Sequence, residues 1–228
     1  MHIPDGYLGP VTCGFFYAVM LAIWTIASKI VKKTLKVKQV PMLAIGAAFS
    51  FVIMMFNLPI PGGTTAHAVG GVLVAILLGP WAACIAITVA LVILALLFGD
   101  GGITTLGANC FNMAFILPFT GYYLYRAISY KAPLNSKRRV IAAGLAGYFA
   151  LTLAALFTGI ELGVQPLLHP LSSGRAFYFP YGLKVSLPVM LGGHLLAIGW
   201  LEAIITGLVI KYLQKYSPKL FAESRVNF

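Results

Sequence analysis

Apolar residues in this chain come in long blocks separated by short polar or basic stretches. A helix rising 1.5 Å per residue needs about 20 apolar residues to cross a ~30 Å hydrocarbon layer, and blocks of that size follow one another from residue 8 to residue 210. The first runs from Leu8 to Val31, the second from Pro41 to Asn57, after which LPIPGG at 58–63 reads as a turn-rich loop. Thr64 to Phe98 is one apolar stretch of 35 residues, roughly 52 Å as a single helix and so too long for one crossing. The Gly79-Pro80 pair is its natural break, giving a third span over 64–83 and a fourth over 82–98. GDGGITTLG at 99–107 then leads into a fifth span, Leu106 to Tyr125, followed by a sixth, Val140 to Ile160, and a seventh, Val185 to Ile210. The expected architecture is an all-α polytopic membrane bundle of about seven transmembrane helices.

Composition sharpens this reading. Residues of the AVILMFWYC set make up 60% of the 228 and charged residues only 9%, against roughly a quarter charged in soluble domains, which excludes an ordinary soluble globule. The net charge of +11 does not point to nucleic acid, because the 16 Lys and Arg residues fall in interhelical clusters. Lys29, Lys32, Lys33, Lys36 and Lys38 follow the first span; Arg126, Lys131, Lys137, Arg138 and Arg139 follow the fifth; Lys211, Lys215, Lys219 and Arg225 follow the seventh. Seven spans with the N-terminus outside and the C-terminus cytoplasmic put 14 of the 16 inside, leaving only Arg175 and Lys184 external, as the positive-inside rule requires. Merging 64–98 into one span would turn the Arg126–Arg139 cluster outward. The positive charges follow the first apolar block instead of preceding it, so no cleavable signal peptide is expected and the mature chain is expected to start at Met1. Cys13, Cys84 and Cys110 lie in or beside apolar blocks without CxxC spacing; they read as small packing residues and not as a disulfide or thiolate set.

The four histidines, His2, His67, His169 and His194, all fall on the outer side or in the outer part of a span. His2 is the informative one, since histidine is not among the small second residues before which the initiator methionine is generally trimmed. A free Met1 amine, the His2 amide nitrogen and His2 Nδ1 can then close a five-membered and a six-membered chelate ring on one metal, provided the amide proton is displaced. A fourth nitrogen would complete a square plane, the geometry that singles out Ni(II) or Cu(II), whereas Zn(II) prefers a tetrahedron. His67 lies on the same side by parity, among glycines (Gly62, Gly63, Gly70, Gly71) that allow close backbone approach. The bland readings are an accidental second residue for His2 and a polar helix-start residue satisfied by Thr64 or backbone for His67.

MHIPDGYL at the start, TAHAVGGVLVAILLGPW at 65–81 and GDGGITTLGANCFNMAF at 99–115 resemble the substrate-binding S components of nickel and cobalt energy-coupling-factor transporters. The Met-His start is the most specific part, because its position is itself the motif, and Pro4-Asp5 resembles the nickel branch more than the cobalt branch. The resemblance implies Ni(II) as transported substrate, with Co(II) the alternative and no organic cofactor. The metal would be held by the Met1 amine, the His2 amide and imidazole, and the His67 imidazole, under an external loop. It also implies a multi-pass protein of a prokaryotic plasma membrane, working with a transmembrane coupling subunit, cytoplasmic ATPase subunits and in some systems a small accessory membrane subunit. One transmembrane domain is then expected, with residues 1–7 an extracellular metal-binding segment, 8–211 the helix bundle and 212–228 a cytoplasmic tail.

Around that ligand set, Asp5, Asp100, Asn109 and His194 are candidate supporting residues. Asp5-Gly6 is equally a turn before the first span, and Asp100, Thr104, Asn109 and Asn112 equally cap a loop or bond between helices. His194 and Glu202 are eight residues apart, about 12 Å along a helix and too far to hold one ion. His169, between prolines in an external loop, reads as solvent-exposed. No P-loop pattern occurs, so the chain by itself is not expected to hydrolyse ATP, and it is read as a non-catalytic transport subunit. An intramembrane metalloenzyme would need an open metal position beside a general base, but HExxH is absent. A self-sufficient cation carrier would need paired ionisable groups at mid-depth, for which only Glu202 and His194 are available.

Overall fold

The computed structural model describes residues 1–60, 64–170, 176–218 and 221. The expectations that fall on Gly62, Gly63, Arg175, Lys219 and Arg225 lie outside them.

After an irregular N-terminal thread, α1 (Pro10–Thr34) and α2 (Val40–Met54) are joined by a 3-10 turn at Val37–Gln39. β1 (Leu58–Ile60) and β2 (Thr64–Ala66) pair antiparallel, Leu58 opposite Ala66. Then come α3 (Gly71–Leu78) and α4 (Pro80–Ile93), the latter prolonged by a π turn at Leu94–Phe98. α5 (Leu106–Cys110) and α6 (Leu117–Ile128) are bridged by a second π turn at Phe111–Ile116, and α7 (Lys137–Gly163) is followed by the single-turn α8 (Gln165–Leu168). A third π turn, His194–Ile198, joins α9 (Leu183–Gly193) to α10 (Gly199–Tyr216).

Five helical runs among the described residues are long and apolar enough to cross a membrane: Pro10–Thr34, Val37–Met54, Pro80–Phe98, Lys137–Leu168 and Leu183–Tyr216. The expected break at Gly79-Pro80 is where α3 ends and α4 begins. Gly79 has φ 85°, which favours glycine, and Pro80 supplies a preset φ at the first helical position. The block expected as a third span, 64–83, takes another form. Residues 64–66 form a strand, 67–70 turn, and α3 has only 8 residues, about 12 Å of helix. Gly70 at φ 72° and Gly79 at φ 85° bracket it, so neither end can continue as a right-handed helix.

The packing is that of a membrane bundle. Large apolar side chains point outward at helical spacing, as with Leu196, Trp200, Ile204 and Leu208 along the last run. The interior seam of α7 is built from small residues, with Ala142, Ala143, Ala146, Ala150 and Ala154 all buried. α7 packs on α6, α9 and α10, and backbones approach closely there: a Cβ on Gly144 would lie 3.2 Å from the Ala203 carbonyl oxygen. The three cysteines are buried and free.

Candidate metal centre

Met1 and Ile3 are 0% exposed and His2 3%, although this thread opens with a free amine and contains no helix or strand. Burying its polar groups requires partners, and α5 and the loop before it supply them. The Ile3 amide donates to Asn109 Oδ1 at 2.9 Å. The Ile3 carbonyl accepts from Asn109 Nδ2 at 3.1 Å, from the Gly102 amide at 3.0 Å and from the Thr105 hydroxyl. Asp5 accepts from the amides of Ile103, at 3.1 Å, and Thr104, at 2.8 Å, and from the Thr104 hydroxyl. Gly102 sits so tightly under Asp5 that a Cβ there would overlap it. Further along, the Gly9 amide donates to Gln165 Oε1 at 2.9 Å and the Phe179 amide to the Tyr7 carbonyl at 3.0 Å.

This strapping drives the first two residues into a pocket that also holds His67. The Met1 amine donates to the Thr65 carbonyl on β2. The rings of His2 and His67 lie with centroids 4.4 Å apart at 33°, and His67 is 0% exposed. His67 Nδ1 is 3.1 Å from the Ala68 carbonyl oxygen. That oxygen can only accept, so the proton sits on Nδ1 and Nε2 presents a bare lone pair; Nε2 has no partner among the described residues. His2 Nδ1 is 2.8 Å from Asp100 Oδ1, and Asp100 Oδ2 accepts from Asn57 Nδ2 at 2.6 Å.

Burial pushes the Met1 amine down to about 4, against the pull of Asp100, so near neutrality it is an uncharged amine with a free lone pair. Burial also lowers His2, the hydrogen bond to Asp100 opposing it. Asp100 is held below the usual carboxylate range because its bonds to His2 and Asn57 outweigh the cost of burial. The pair is therefore a carboxylate facing a neutral imidazole.

The structure thus brings Met1, His2, His67 and Asp100 together. It gives Asn109 and Asp5 the work of strapping the thread, through backbone contacts. His194 is fully buried on the third π turn, its Nδ1 2.7 Å from the Met190 carbonyl oxygen and its Nε2 without a partner among the described residues. His169, expected in solvent, is half-buried instead: its ring lies over Gly9 and 4.6 Å from that of Tyr178. A glycine one residue before α1 leaves room for the ring.

Sequence reading missed Asn57, Thr105, Gln165 and the partner of Glu202, which is fully buried and bonded to the amides of Val69 and Gly70. Their one available signal is polarity inside or beside apolar blocks. Among the described residues, no three His, Cys, Asp or Glu side chains group as metal ligands. A metal in this pocket would have to draw on main-chain nitrogen.

Residues 2–220 match the family model described as "Cobalt uptake substrate-specific transmembrane region". The chain is 52% identical over 222 residues to the "Probable fused nickel transport protein LarMN" of Lactiplantibacillus plantarum, covering 96% of this chain and 66% of that protein. It is 50% identical over 225 residues to the "Fused nickel transport protein NikMN" of Rhodobacter capsulatus, covering 99% of this chain and 65% of that one. This chain thus spans just under two thirds of the length of both fused relatives. A solved structure titled as a transition metal transporter superposes with a TM-score of 0.90 at 54% identity, covering 99% of this chain and 98% of that one.

Proposed function

The chain belongs to the cobalt uptake substrate-specific transmembrane family, and from that premise we propose that it captures Ni(II) at the outer face of a prokaryotic plasma membrane as the substrate-specific subunit of an ATP-driven importer. One observation carries this reading: a buried, uncharged Met1 amine beside two imidazoles whose centroids are 4.4 Å apart. The Met1 amine, the deprotonated His2 amide, His2 Nδ1 and His67 Nε2 supply four nitrogens for a square plane, the arrangement that suits low-spin Ni(II). Closing the chelate requires His2 Nδ1 to turn from Asp100 to the metal with its proton passing to Nε2, and the His2 amide proton to be released to solvent. Asp100 is then left bonded to Asn57 at the rim.

The orientation proposed is N-terminus outside. The thread, the 99–105 loop and the Gln165 turn meet at the end of the bundle opposite Lys32, Lys33 and Lys215, which end α1 and α10, and basic ends favour the cytoplasm. Seven helical passages, α3 being a partial one, fit this orientation. Separate cytoplasmic ATPases and a transmembrane coupling subunit, with or without a small accessory membrane subunit, supply the energy. Gly14, Ala18 and Ala22 form an exposed small-residue strip along α1 that suits close docking of a partner helix.

Cobalt is the second reading, favoured by the family's own description. Its distinguishing measurement is competition between Co(II) and Ni(II) for the purified chain. The deciding experiment is metal content and nickel affinity of the purified protein beside His2→Ala, His67→Ala and a variant with one residue inserted after Met1. One nickel per chain is expected in the unaltered protein, with stoichiometric retention lost and affinity sharply but measurably reduced in all three. Binding unchanged in the insertion variant would remove the N-terminal chelate and direct attention to His194.

A further inference from the structure

The turn that carries His67 is fastened from the other end of the chain. Glu202, 0% exposed on α10, accepts from the Val69 amide through Oε2 at 2.8 Å and from the Gly70 amide at 3.0 Å through each oxygen. α3 supplies no side chain of its own to cap these amides.

The amide of Val69 and the carbonyl of Ala68 belong to one planar peptide unit. Its N–H points at Glu202, and its carbonyl oxygen accepts from His67 Nδ1 at 3.1 Å. Carboxylate, peptide and imidazole thus form one line of hydrogen bonds ending at the bare Nε2. Fixing the peptide plane fixes the carbonyl, and the carbonyl fixes both the tautomer and the rotation of the ring. The other side of the turn is closed as well. Gly70 is left-handed at φ 72°, and the Phe49 ring lies where its Cβ would be. Metal-binding imidazoles commonly donate their second nitrogen to a carbonyl or carboxylate, which orients the ring and raises its basicity; here the carboxylate acts through a peptide.

We propose that Glu202 is the positioning residue of the metal site, acting through the 68–69 peptide to hold His67 Nε2 on the fourth corner of the plane. This rests on His67 being a ligand. It also ties the site to α10, which packs along α7, so a movement of α10 would reach the metal through this line of bonds.

The test is a double-mutant cycle on the full-length purified chain, with nickel as the probe. Glu202→Gln keeps one acceptor oxygen and sets an NH2 group against a backbone N–H. Nickel affinity is expected to fall about tenfold, the equivalent of one hydrogen bond. The absorption of the nickel-saturated protein should shift from a planar towards a six-coordinate form. In the His67→Ala background the same substitution should change affinity by less than about twofold, because coupled residues are not additive. Glu202→Asp, which keeps the acid but shortens its reach, should behave as Glu202→Gln does and covers the case in which the amide variant does not fold. Unchanged affinity and spectrum in either variant would overturn the proposal, as would an equal loss with and without His67. If His67→Ala alone left nickel binding intact, the site reading itself would fall, and the role of Glu202 with it.

Discussion

Asn109 uses both ends of one amide side chain to hold both backbone groups of Ile3, one residue from the imidazole proposed to bind metal. Replacing it by alanine leaves the buried Ile3 N–H without a partner, while the carbonyl keeps Gly102 and Thr105. A bare buried donor costs about 1–3 kcal/mol, so Asn109→Ala should lower the thermal midpoint and weaken nickel binding together, read by a melt with and without the metal. Asn109→Asp keeps the acceptor for the Ile3 amide but sets a second oxygen against the Ile3 carbonyl, so it should recover only part of the stability. Unchanged stability and affinity in the alanine variant would mean that Asn109 does not hold the thread. Polar residues of this kind are visible in the sequence: Asp5 stands three residues from His2, before the first block, and Asp100 and Asn109 beside the outer end of the fifth. Their partners were not visible, since Asn109 meets a residue 106 positions away and Gln165 one 156 positions away.

Among the elements, α5 matters because it carries Asn109 and must lie close to α1. Gly107 is what permits this: a Cβ there would stand 2.7 Å from the Tyr17 amide nitrogen and 2.9 Å from the Phe16 carbonyl carbon, backbone atoms of a long helix that cannot step aside. Gly107→Ala is therefore expected to cost about 1–3 kcal/mol by overpacking and to loosen the N-terminal thread. Gly14 on α1 is the control, with nothing within 4 Å of its would-be Cβ, so Gly14→Ala should leave the fold as stable as before or slightly more so. Equal melting behaviour of the two variants would sink the argument from close approach. The same scale accounts for the third block of the sequence. Apolar length predicted a span, but left-handed glycines at 70 and 79 confine the helix to α3, and the preceding residues pair as a hairpin. A run of apolar residues measures tolerance for a dry environment; whether it becomes helix or strand is decided by φ at the glycines and by what lies alongside.

For the molecule as a whole, orientation is the open physical statement, and the buried cysteines make it measurable in an otherwise unaltered chain. Ile103 and Asn135 are exposed at opposite ends of the bundle. In intact cells Ile103→Cys should react with a membrane-impermeant maleimide, and Asn135→Cys only after permeabilisation; the reverse pattern would invert the topology. The sequence by itself determined that this chain is a helical membrane protein and where its helices break at Gly79-Pro80, and it singled out the residues proposed to bind metal. These follow from local quantities: hydropathy over twenty residues, the φ preference of glycine and proline, and the spacing of donors within one dipeptide. Only the tertiary structure decided that Met1 and His2 are buried beside His67, that Asp100 faces His2, and that Glu202 holds the turn behind His67. Those contacts join residues 64 to 133 positions apart, and a chain's local preferences say nothing about which distant polar groups will close on one another once water is excluded.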